Sequence, residues 1–173
     1  MFGLNKRIYR RQLRRALLIS NAVRVGLFAY HANLLGYEAK EEPNDRTRIM
    51  AAAINYMFGN DFDKSIETFA DKEKTKKLVY SKADEILKSD PDLEALIHRI
   101  LYDVGSLCIM LKDDKYAQQI WAEHPRLMEI VTQNRNKNPQ NFKDYNEKEF
   151  RKLISKCADK YDPKMKDHLL KLF

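Results

Sequence analysis

The sequence predicts an all-α fold, a single-domain bundle of about seven to eight amphipathic helices spanning 1–173. Three observations carry that reading. Apolar residues recur at spacings of three and four along most of the chain, the period of one helix face. Five Gly and five Pro among 173 residues leave little material for the many turns of an all-β fold. Helix-start signatures, an Asn or Asp with or without Pro, stand at the head of several apolar runs. With 44% hydrophobic and 33% charged residues, a chain of this length can bury a sufficient core without disulfides or metals.

The first element is expected at about 5–36. It opens with basic residues interleaved with Ile8, Tyr9 and Leu13, then runs nearly all-round apolar from Ala16 to Leu35. A helix apolar on most sides is usually central in a bundle, so this is one of two predicted central helices. Gly36 supplies the stop, because Gly takes a left-handed C′ conformation without a Cβ penalty. Residues 41–45, Glu-Glu-Pro-Asn-Asp, read as a connector, with Asn44 or Asp45 capping the next helix. That helix carries Ile49, Met50, Ala53, Ile54, Met57 and Phe58 and stops at Gly59-Asn60. Phe62, Ile66, Phe69 and Ala70, then Val79, Ala83, Ile86 and Leu87 across a charged stretch at 71–77, predict two helices or one kinked helix.

Ser89-Asp90-Pro91 opens the other central helix, at about 91–112, since Pro is pre-set for the first helical position. Ile97, Ile100, Val104 and Leu107 on it are expected in the core, with Leu17, Leu27, Phe69 and Ile154 from other elements. A shorter pair is expected on either side of His124-Pro125. Residues 133–143, rich in Asn and Gln and holding Pro139, read as an exposed loop. Asn146 with Glu149 three positions on forms a capping box for a helix bearing Phe150, Leu153, Ile154, Cys157, Ala158 and Tyr161. Asp162-Pro163 opens a last short helix.

The phosphate-binding loops of nucleotide enzymes need clustered glycines, and the glycines here are scattered at 3, 26, 36, 59 and 105. No G-x-S-x-G elbow is present. The four histidines, His31, His98, His124 and His168, lie on separate elements, and no Glu-x-x-His pair supplies a di-iron site. Glu94 and His98 share a helix face at i, i+4, which reads as a surface pair. Asp61-x-Asp63-x-Ser65 fails as a calcium loop, with Ile66 where Gly is needed and Lys72 where the bidentate Glu belongs. No catalytic residue, metal or cofactor is therefore expected. Cys108 and Cys157 sit inside apolar helical patterns without CxxC spacing, as buried free thiols of a reducing compartment.

The charge layout is the informative feature. Residues 1–37 hold Lys6, Arg7, Arg10, Arg11, Arg14, Arg15 and Arg24 and no Asp or Glu, which leaves 32 − 7 = 25 basic residues against 25 acidic ones in the remainder. The whole excess of +7 lies in the first helix, and most of it in a basic arm at 1–15. On a helix, Lys6, Arg7, Arg10, Arg11, Arg14 and Arg15 form a ridge, and guanidinium forks match phosphates and carboxylates. The alternative is a solvated helix end, or one paired with acids of the neutral body.

The expected function is a non-enzymatic helical adaptor or structural subunit that docks this ridge on a polyanion or an acidic protein surface, with protein partners in a larger assembly. A nucleic-acid-binding module is the alternative, favoured if Arg135, Lys137 and Lys143 lie beside the ridge. An enzyme using a pocket between helices is a third class, marked by a buried carboxylate or histidine with no structural partner. The expected compartment is the cytoplasm, with the mitochondrion as alternative because Arg-rich, acid-free N-termini resemble transit peptides, although Ser20 is the only serine of the segment. A secretory leader is not expected, since the apolar run after the arginines is only Ala16–Ile19. Membrane contact is disfavoured, because Arg24 and His31 interrupt the apolar stretch and an Arg near the centre of a span costs about 3 kcal/mol.

Overall fold

The computed structural model describes residues 2–36, 44–137 and 147–172. Among them it is a single all-α bundle of nine helices with no strand. Helix α1 spans Phe2–Leu34, α2 Asp45–Met57, α3 Phe62–Ile66, α4 Lys72–Ser89, α5 Pro91–Met110, α6 Lys115–Glu123, α7 Leu127–Lys137, α8 Glu147–Tyr161 and α9 Lys166–Leu170. A 3-10 turn, Pro163–Met165, precedes α9. No helix among the described residues is long and apolar enough to cross a membrane.

The two long apolar helices pack on each other at the centre, α1 against α5. Helices α7, α8 and α6 close around α5, while α2 bridges α1 and α4. Of the predicted core, Ile97, Ile100, Val104, Leu27 and Ile154 are buried, whereas Leu17, Phe69 and Leu107 are half-buried against it. Leu17 and Leu107 sit on helices α1 and α5, and Phe69 lies in the connection between α3 and α4 rather than on a helix. Cys108 and Cys157 are free and buried, and burial pushes their thiols up to about 11 and about 12.

Most boundaries follow local chemistry. Asn44 caps α2 by accepting from the Thr47 N–H at 2.9 Å. Gly59 ends that helix with φ +71° and Gly36 follows α1 with φ +73°, the left-handed region where glycine has no penalty. Asp90 caps α5, accepting from the Asp92 and Leu93 N–H groups at 3.1 and 3.2 Å. The same carboxylate accepts from Lys160 Nζ at 2.9 Å and Tyr161 OH at 2.8 Å, which fastens the end of α8 to the start of α5. Burial alone would raise the Asp90 carboxyl; these donors outweigh it and hold it below the ordinary aspartate range. Gly105 lets α7 approach α5, since a Cβ there would overlap Val131.

The segment after Gly59 forms two separate helices, α3 and α4, the first of its two expected forms, because Asp61 and Asp71 each cap a new start, accepting from Lys64 N and Lys74 N. Three expectations need correction. The loop expected from 133 begins later, since α7 continues to Lys137; polar residues end a buried stripe without ending a helix. The last helix opens as a 3-10 turn with no side-chain cap on it. Helix α1 is buried on one side only: Leu4, Ile8, Leu18, Val25 and Leu34 stand 44–68% exposed. Residues 41–43, Asn146 with its capping box, and Pro139 lie outside the described residues.

Candidate functional site

The basic ridge occupies the second to fourth turns of α1, and no acidic residue stands in the turn before it. Like charges at spacings of three and four on one helix repel one another, an arrangement that costs stability locally. The fold supplies part of the compensation from α6. Asp114, buried at the start of that helix, accepts from the N–H groups of Tyr116 and Ala117 at 3.0 and 3.4 Å and so caps it. Its carboxylate also receives Lys6 Nζ and Arg10 Nε, each at 3.6 Å. Burial would raise this carboxyl, but the two backbone donors, then Arg10 and Lys6, hold it below the ordinary aspartate range.

The next residue pair extends the contact. The guanidinium carbons of Arg10 and Arg14 stand 5.9 and 5.5 Å from the Tyr116 ring centroid, within cation–π range. Arg15 turns to the other side of α1, where it lines a cavity of about 310 Å³ with Gln12, Arg99, Asp103, Ser106 and Phe150. There Arg99 Nε meets Asp103 Oδ2 at 3.0 Å. Burial pushes the Asp103 carboxyl above the ordinary range, with Arg99 and Arg15 pulling against that rise.

The six ridge residues are thus divided four ways. Lys6 and Arg10 are tethered to Asp114, Arg14 lies on Tyr116, and Arg15 belongs to the Asp103 cavity. Arg7 and Arg11 are exposed and make no ion pair among the described residues. Sequence reasoning missed Asp114, Tyr116 and Asp103 as neighbours of the ridge. Asp114 was detectable as a helix cap before Lys115, but its proximity to Lys6 and Arg10, more than a hundred positions away, has no signature in sequence. The side chains of Arg135, Lys137 and Lys143, the other half of a possible basic face, lie outside the described residues.

Two histidines bear on enzymatic use of a pocket. His31 Nε2 and His124 Nδ1 are buried with no hydrogen-bond partner among the described residues. His31 packs edge-on to Tyr30 with ring centroids 5.1 Å apart, and burial lowers its pKa; His124 is likewise lowered by burial. Neither lines the Arg15 cavity. No group of three or more His, Cys, Asp or Glu is gathered for a metal among the described residues. Compared with known proteins, the chain matches no family model, and no curated protein and no solved structure is significantly similar to it.

Proposed function

We propose that this protein is a non-enzymatic helical adaptor or structural subunit whose first helix docks on an acidic partner. The single observation that supports the reading is the incomplete neutralisation of the ridge. Asp114 and Tyr116 engage Lys6, Arg10 and Arg14, while Arg7 and Arg11 point outward with no acid among the described residues. Cations crowded at spacings of three and four on one helix repel one another, and an anion set against them removes that cost. A carboxylate-bearing surface suits guanidinium forks as well as phosphate does. The buried free thiols fit a reducing compartment such as the cytoplasm.

The test is a pair of substitutions that leaves the internal contacts alone. Arg7→Gln with Arg11→Gln keeps good helix formers at exposed positions, so the far-UV circular dichroism spectrum should be unchanged. The doubly substituted protein should lose its place in the native assembly, read by co-sedimentation from the source cells. If the alternative, a nucleic-acid module, were correct, wild-type protein would bind duplex RNA or DNA with an affinity falling steeply with salt, the slope shrinking by roughly 0.9 per lost phosphate contact in the variant. Retention of both associations by the variant would show the ridge to be merely solvated.

A further inference from the structure

The outward side of α1 carries a second feature in line with the ridge. Leu4, Arg11, Leu18 and Val25 recur every seven residues and all four are exposed, the three aliphatic ones by 67, 55 and 62%. Arg7, Arg14 and Asn21 run beside them at the same spacing, and exposed Ala29 extends the apolar end. A seven-residue repeat drifts only about 20° per turn of the pattern on a straight helix, so these positions form one nearly straight seam. Beyond Leu4 it is basic over its first half, apolar over its second apart from Asn21, and no acidic residue lies anywhere along α1. Exposed apolar positions at heptad spacing are what a helix presents to another helix.

We infer that this seam receives one amphipathic helix of a partner protein, its carboxylates opposite Arg7, Arg11 and Arg14 and its apolar side chains opposite Leu18, Val25 and Ala29. The inference rests on the reading that the ridge docks on an acidic protein, and names the form of that partner. Charge complementarity selects among occupants. A second copy in parallel sets arginine against arginine, and in antiparallel it sets arginines against Leu18 and Val25; no carboxylate is available on α1 in either case. A helix lying on an anionic bilayer sets its basic residues to the side of the apolar stripe, where they reach the headgroups. Here they follow one another on one line, so a bilayer that covered Leu18 and Val25 would also desolvate Arg11 and Arg14. Phosphates of a nucleic acid suit the basic half but gain nothing from the apolar one.

The experiment titrates the full chain with two synthetic helical peptides of about four heptads and identical composition. In one, Glu residues occupy one end of the stripe and Leu the other; in the second, the same residues alternate along it. The segregated peptide should bind about tenfold or more tightly than the mixed one. Leu18→Ser with Val25→Ser, both at exposed positions, should leave the fold intact and weaken that binding by about tenfold or more. Arg7→Gln with Arg11→Gln should weaken it and flatten its salt dependence. Equal binding of the two peptides overturns the inference, as does indifference to the serine pair. If the arginine pair matters and the serine pair does not, the ridge docks as proposed and the seam does not. If neither matters, both readings fall. Tighter binding to phosphatidylserine vesicles or to a nucleic-acid duplex than to the segregated peptide, or dimerisation of the chain itself in sedimentation, also overturns it.

Discussion

Helices α1 and α5 carry the two long apolar runs of the chain and pack on each other, yet they differ at their N-terminal ends and on their outer faces. Helix α5 is locally consistent: Asp90 caps it, Pro91 occupies its first position, and Asp92 and Glu94 sit in its first turn where the dipole favours anions. Its neighbours α1, α4, α6, α7 and α8 surround it, and eight of its residues are buried. Helix α1 has 33 residues, about 50 Å, with cations crowded in its second to fourth turns and an outer face left open. The comparison teaches that apolar content does not by itself specify burial. The number of elements available to cover a helix does, and the bundle exhausts its partners on α5.

Four measurements test this contrast. The largest effect is expected at Ile100, 1% exposed on α5. Ile100→Ala should destabilise by about 2–5 kcal/mol, whereas Leu18→Ala on the open face of α1 should change the denaturation midpoint hardly at all. Similar losses at the two positions would show that α1 is covered as α5 is. Next is Asp90→Ala, which removes the α5 cap and the anchors of Lys160 and Tyr161. A loss of about 1–3 kcal/mol is expected in urea titration, and a value near zero would mean that α5 does not depend on its local start signal.

A smaller effect is expected from pH. Burial lowers the pKa values of His31 and His124 from 6.5, so below that pH the unfolded chain binds more protons than the folded one. Stability should therefore fall as pH drops from 6.5 through their folded values and recover as it rises again. His31→Gln, on α1, should reduce the slope; an unchanged slope would assign it elsewhere. Asp90 and Asp114 are held below the ordinary aspartate pKa of 3.8, so their contribution is present above that value and lost only at stronger acidity. The smallest effect is Asp114→Asn, which keeps a good cap for α6 but releases Lys6 and Arg10. About 0–1 kcal/mol is expected, because the two cations are themselves solvent-exposed at 3.6 Å from the carboxylate. A much larger loss would show the basic end of α1 to be held mainly from within.

The elements were largely legible in sequence because their causes are local. Asn44, Asp90 with Pro91, Gly36 and Gly59 act within one turn of where they stand, and the period of the apolar stripes on α5 and α8 identifies the buried face directly. Where local signals were weak, the reading was less sharp. Asp71 heads a charged stretch that lacks an apolar stripe, so one kinked helix and two separate ones were not distinguished, and the polar end of α7 resembled a loop.

The sequence by itself determined the helical class, most helix starts and the concentration of charge in the first helix, since each follows from residues within a few positions of one another. Only the tertiary structure decided how that charge is divided. Asp114 meets Lys6 and Arg10, and Asp103 lies near Arg15, because α5 and α6 are brought against α1 by packing of stripes far apart in the chain. Leu18 and Val25 remain outside for the converse reason: no helix among the described residues covers that side. Hydrophobic burial is non-directional, so the pattern states which residues prefer to be covered, and the arrangement of the whole decides which of them are.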